Sequence, residues 1–178
     1  MGFFVRKISK GKWRSDSDEP VIKADALTSC LRTSGNKLSF WRIDDLAQIE
    51  EAKLAIAASN SNLDTFDIVV FTSEEMEAFG APIKETKGDT ACRDLADSHR
   101  DLAELNADHL IRVSHAVLRK VKADDIERVT TPKLKVLMSA AANNDRLDLD
   151  LLSDSVKIKI GLPVPEKPVC TCGAGAAP

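Results

Sequence analysis

Aromatic side chains stop at residue 79. Phe3, Phe4, Trp13, Phe40, Trp41, Phe66, Phe71 and Phe79 are the full set, and the chain from Gly80 to Pro178 holds no Phe, Trp or Tyr. Aromatic rings fill the large volumes between sheets and helices, so the two halves are expected to pack by different means. GAPIKETKGD at 80–89, with two Gly, one Pro and mixed charge, reads as the connection between them. The expected class is α+β. An aromatic-rich strand-and-helix subregion covers 1–80 and a mainly helical one covers 81–162, in one cooperative unit. An extended Pro/Gly tail follows over 163–178.

Within the first half, FFVRKI at 3–8 has the β-branched and aromatic content of a strand. ADALTSCLR at 24–32 places Ala26, Leu27, Cys30 and Leu31 at helical spacing, and Ser34-Gly35-Asn36 supplies a turn. A second strand is expected over 37–43 (KLSFWRI). Asp44 and Asp45 then open a helix, placing acids at its positive end. DIVVFT at 67–72 is a nearly continuous apolar run and predicts a buried strand. Thr72 and Glu75 have the spacing of a capping box for the next helix.

In the second half, Leu95, His99, Leu102, Leu105, His109, Val113, Val117 and Val121 recur at steps of three and four, the stripe of an amphipathic helix. Residues 110–121 also alternate, and length favours helix over strand. Thr131-Pro132 predicts a helix start, and Asn143-Asn144 its end. SVKIKIG at 155–161 alternates strictly and predicts a last strand near 155–160.

The hydrophobic fraction of 43% and the charged fraction of 30% are those of a folded globular chain. No apolar run approaches the ~18 residues of a membrane span. The N-terminus lacks the apolar core of a secretory signal. Cys30, Cys92, Cys170 and Cys172 are therefore expected to be reduced thiols of a cytoplasmic protein. A formal charge of −3 gives no general attraction to nucleic acid or to an anionic membrane.

Two stretches invite a chemical reading. The first is Arg93-Asp94-Leu95-Ala96-Asp97-Ser98-His99, which resembles the cleavage motif of ribonucleases of the HEPN superfamily, an Arg, an adjacent polar residue and a His a few residues on. That resemblance implies metal-independent RNA cleavage on an all-helical bundle. His99 would move the 2′-hydroxyl proton and Arg93 would clamp the phosphate. It covers seven residues of 178, and the strands of the first half depart from it. A repeated helix face explains more of the residues. RDLADSH and RDLAELN match at Arg, Asp, Leu and Ala, with Arg93–Asp97 and Arg100–Glu104 as i,i+4 charge pairs.

The second is the basic strip Arg6, Lys7, Lys10, Lys12 and Arg14, which precedes the first acid at Asp16 and is interleaved with Phe3, Phe4 and Trp13. It could grip phosphates and stack on bases, or it could be a solvated strand face. No metal site or cofactor is expected. His99, His109 and His115 point in different directions on a continuous helix, and Cys170-Thr171-Cys172 lacks a second pair. P-loop, GxGxxG, GxSxG and HExxH motifs are absent.

The leading expectation is a non-catalytic protein–protein interaction module, an accessory subunit of a larger cytosolic complex, with an apolar surface patch for its partner. The alternatives are the Arg93/His99 ribonuclease and nucleic-acid binding through the basic strip.

Overall fold

The computed structural model describes residues 2–14 and 21–164. Along FFVRKI, alternate side chains turn to opposite faces, making Phe3–Ile8 a strand, β1. Phe4 and Ile8 are buried on one face and Val5 on the other. A strand buried on both faces must lie inside a sheet, and β1 is central. It pairs antiparallel with β3 (Phe66–Thr72) along its whole length, from Phe3↔Thr72 to Ile8↔Asp67. Its pairing with β2 (Leu38–Ile43) covers only Phe3↔Ile43 to Val5↔Trp41. The outer strands are β5 (His99–Leu102) beside β2, β4 (Ile83–Glu85) beside β5, and β6 (Glu127–Val129) beside β3. The fold is α+β: one six-stranded antiparallel sheet in the order β4-β5-β2-β1-β3-β6 with helices on both faces.

On one face lie α1 (Lys10–Trp13), α2 (Ala24–Cys30), α4 (Ser73–Ala78) and α5 (Ala107–Lys122). On the other lie α3 (Ile49–Ala58), α6 (Thr131–Asn143) and α7 (Asp154–Lys159). Phe4, Trp13, Phe40 and Phe71 share the first core with Val113, Val117 and Val121 of α5, while Trp41 and Phe66 share the second with Leu134 and Met138 of α6. Aromatics from the first 80 residues and aliphatics from the rest thus fill the same two layers.

Local chemistry sets the helix ends. The Thr72 hydroxyl accepts from Glu75 N–H (3.2 Å) and the Glu75 carboxylate accepts from Thr72 N–H (2.9 Å), the reciprocal capping that the spacing predicts. Asp45 caps a 3-10 turn at Leu46–Gln48 that runs into α3. Residues 110–121 are helical: α5 starts at an Asn106 cap closed by His109. Gly35 and Asn36 take left-handed φ values of 59° and 56°, forming the tight turn into β2.

Three expectations are corrected. Residues 93–106 do not form a repeated helix. Arg93–Ser98 is a 3-10 helix, and His99–Leu102 leaves it as β5, pairing Leu102 with Leu38 and His99 with Trp41. The apparent stripe divides, with Leu95 packing against one core and Leu102 and Leu105 lying in the other. Long-range pairing to β2 overrides a modest local helix preference here. Residues 155–160 form α7, not a strand. Ser153 accepts from Val156 N–H, Asp154 sits in the first turn, and Val156 is buried with Ile160 packed beside it one turn on. Spacing of four suits either periodicity, and the cap decides. The 80–89 connection is partly strand, because Ile83–Glu85 pairs with β5; with β5 and β6, the second half contributes three strands to the sheet. The tail beyond Val164, including Cys170 and Cys172, lies outside the described residues.

A close approach seats the loop at Gly88, which precedes the 3-10 segment, against Trp41 of β2 and His99 of β5. A Cβ at Gly88 would lie 2.4 Å from the Trp41 ring and 3.0 Å from the His99 Cβ, whereas one at Gly11 meets nothing. Urea unfolding is expected to show Gly88→Ala destabilised by about 1–3 kcal/mol. Gly11→Ala, inside α1, should be neutral or stabilising by up to about 1 kcal/mol. Equal effects at the two positions would contradict this packing.

Candidate functional site

The central strands part just where the basic strip begins. Beyond Val5, β1 continues along β3 and β2 continues along β5, but the two no longer pair with each other. Arg6 fills the opening. Its Nη1 donates to the Ser39 carbonyl (2.6 Å), and Nε and Nη2 both donate to the Cys30 carbonyl (3.1 and 2.7 Å) at the end of α2. The guanidinium also lies 5.5 Å from the Phe40 ring centre. Burial pulls its pKa down to about 10, with Cys30 and Asp101 opposing.

A cleft of about 410 Å³ lies over this opening, with Lys7, Lys12, Ser59 and Asn60 around it and Ser39 and Trp41 within it. Lys7 Nζ donates to Asn60 Oδ1 (3.0 Å) and sits 5.4 Å from the Phe66 ring centre. The rest of the strip diverges. Lys10 forms an ion pair with Asp124, and Arg14 is exposed past the end of α1. The structure therefore brings Arg6, Lys7 and Lys12 together and turns Lys10 toward α5's C-terminal end. The cleft's partners in β2 and α3 carry no sequence signature, because Ser39, Ser59 and Asn60 are ordinary polar residues until the fold gathers them.

Arg93 and His99 have separate surroundings. The exposed Arg93 guanidinium is bound to Asp148. His99 is 13% exposed; its Nδ1 is 2.7 Å from the Thr86 hydroxyl and its ring packs edge-on against Trp41. His99 Nε2 is 4.0 Å from Asp101, which accepts from the Ser39 hydroxyl at 3.0 Å. Burial lowers the His99 pKa; Asp101 works against that shift. Cys92 is an inert thiol, pushed up to about 12 by burial and by donation to Asp94. Among the described residues, no cluster of three or more His, Cys, Asp and Glu is placed to hold a metal ion.

A second surface lies on α5. Ile22, Leu27, Leu31, Leu110 and Ile111 line an apolar depression of about 300 Å³ between α2 and α5. Ile111 is 52% exposed and also borders a depression of about 430 Å³ on its far side, with Arg112, His115 and Arg119. The buried face of α5 carries Val113, Val117 and Val121, so Ile111 falls off that stripe; helical phase alone would have marked it as exposed.

A histidine whose folded pKa is depressed takes up more protons when unfolded, so stability falls as pH drops through the unfolded value near 6.5. Between pH 7.5 and 5, wild type is expected to lose more stability than His99→Gln in parallel urea titrations. Identical slopes would show that His99 is not held neutral. No helix among the described residues is long and apolar enough to cross a membrane. Comparison with protein families, curated proteins and solved structures finds no match to this chain.

Proposed function

We propose that this chain is a non-catalytic protein–protein interaction module, an accessory subunit of a larger cytosolic assembly, and that its partner docks on the α2/α5 face. The observation that carries this reading is Ile111, a large aliphatic side chain standing 52% exposed between two depressions. Leu27, in the middle of α2, is 38% exposed and lines the first of these depressions. Solvent-facing apolar side chains grouped with apolar depressions mark docking surfaces more often than isolated ones do.

Charge defines the partner further. Arg112 and Arg119 make no ion pair among the described residues. The one acid lining that depression, Glu75, already accepts from Thr72 N–H and pairs with Lys120. The complementary surface is a protein segment with an apolar centre and carboxylates along one side. Cys30 and Cys92 are free buried thiols in different cores, as suits a reducing compartment.

The test compares Ile111→Asp with Val136→Asp, a control at a 69% exposed position on α6, across the sheet from α5. Both variants should melt near wild type. In co-purification from the native host with quantitative mass spectrometry, Ile111→Asp should lose a stoichiometric partner by about tenfold or more, as hot-spot residues do. Val136→Asp should retain it, and Arg112→Glu with Arg119→Glu should weaken it in low salt. Retention by Ile111→Asp, or a wild-type protein without a stoichiometric partner, overturns the reading. A homodimer in light scattering that Ile111→Asp dissolves would replace the foreign partner by a second copy.

A further inference from the structure

We infer that the cleft between β1 and β2 is a binding site for a small phosphorylated ligand, separate from the α2/α5 face. Three cations, Arg6, Lys7 and Lys12, line it, and none of its lining residues is acidic, in a chain whose formal charge is −3. Arg6 is half-buried at its base and has no carboxylate at ion-pair distance among the described residues; its contacts are carbonyl oxygens and the Phe40 ring. A partly desolvated cation without a counter-ion is under-compensated, and an anion in the cleft would offset that cost.

The C-terminal ends of α2 and α3 also face the opening, through Cys30 and Asn60. Each contributes about half a negative charge, so the two together cancel about one of the three cations and leave the cleft positive. Asp101 stands behind the floor, where the Ser39 hydroxyl donates to it and Lys37 lies 3.9 Å away.

Donor geometry selects the anion. Arg6 would match a planar carboxylate, but its fork is spent on the two backbone carbonyls. What lines the cleft instead are the ammonium groups of Lys7 and Lys12, Lys7 sharing its protons with Asn60, and Ser9, Ser29 and Ser59. The Ser29 and Ser59 hydroxyls donate to the Asp25 and Ala55 carbonyls and would have to rotate to reach an anion. Point-charge donors approaching from several directions suit a tetrahedral phosphoryl group. The volume of about 410 Å³ is in the range of small-ligand sites and leaves room for an organic body against Ile8, Ile56 and Trp41.

The experiment titrates full-length protein at low salt with inorganic phosphate, adenosine 5′-monophosphate, adenosine and a ten-nucleotide single-stranded RNA, read by calorimetry and by amide shifts at Ser9, Ser39 and Ser59. The monophosphate should bind saturably with shifts at those residues, and adenosine should not. Phosphate competing at equal strength would identify the free anion as the ligand; weaker phosphate binding would identify a phosphomonoester. Lys7→Gln with Lys12→Gln, both at exposed positions, should cut affinity by about tenfold or more. Lys84→Gln, on β4, should leave it unchanged. No saturable binding of either phosphate probe, wild-type affinity in the Lys7/Lys12 variant, or RNA binding about tenfold tighter than the monophosphate would each overturn the proposal.

Discussion

The six-residue pairing of β1 with β3 is the constraint on which the rest depends. Phe4, Arg6 and Ile8 face one way and Phe3, Val5 and Lys7 the other, so this one strand divides the interior into two cores. Each core needs its own helical layer. α5 covers one with its valine stripe, and α3 backed by α6 covers the other. Slipping β1 by one residue would exchange the faces and place either Arg6 where Val5 is buried or Lys7 where Ile8 is buried. The parting of β1 from β2 follows from the same pairing. β1 stays on β3 and β2 stays on β5, and Arg6 ties the separated edge to the last carbonyl of α2.

Two cations at this interior, Lys53 and Arg6, are handled differently. Lys53 of α3 is 1% exposed, but its ammonium reaches Glu50 (2.8 Å) and Glu127 (2.5 Å), while Lys133 joins the same two carboxylates from α6. That network fastens α3, α6 and β6 together, and its members compensate one another. Arg6 makes its three hydrogen bonds to carbonyls alone, so its charge is not neutralised by a carboxylate, which distinguishes the cleft from a structural ion pair.

Legibility from sequence followed the range of the interactions involved. β1, β2 and β3 could be read from their own residues, because their side chains are apolar enough to demand burial whatever lies beside them. The Thr72–Glu75 cap and the Asn143 stop were also local signals. β5 was not legible: HRDL has no strand character of its own and is extended because β2 and β4 flank it. α7 was misread because Val156 and Ile160 satisfy both periods. For the sites, the basic strip was visible, but its division was not. Whether Lys10 faces the cleft or Asp124 depends on α1, a single turn, and on the position of α5 more than 100 residues away.

The sheet's edges have a consequence of their own. Its longest strands are enclosed, and both flanks end in three-residue strands, Ile83-Lys84-Glu85 and Glu127-Arg128-Val129, each with two charged side chains. Short, charged edges make poor templates for an incoming strand. The apolar segments FFVRKI and DIVVFT, the most adhesive in the chain when unpaired, are therefore shielded from self-assembly once folding is complete. Exposure to that hazard is confined to the interval before β1 finds β3.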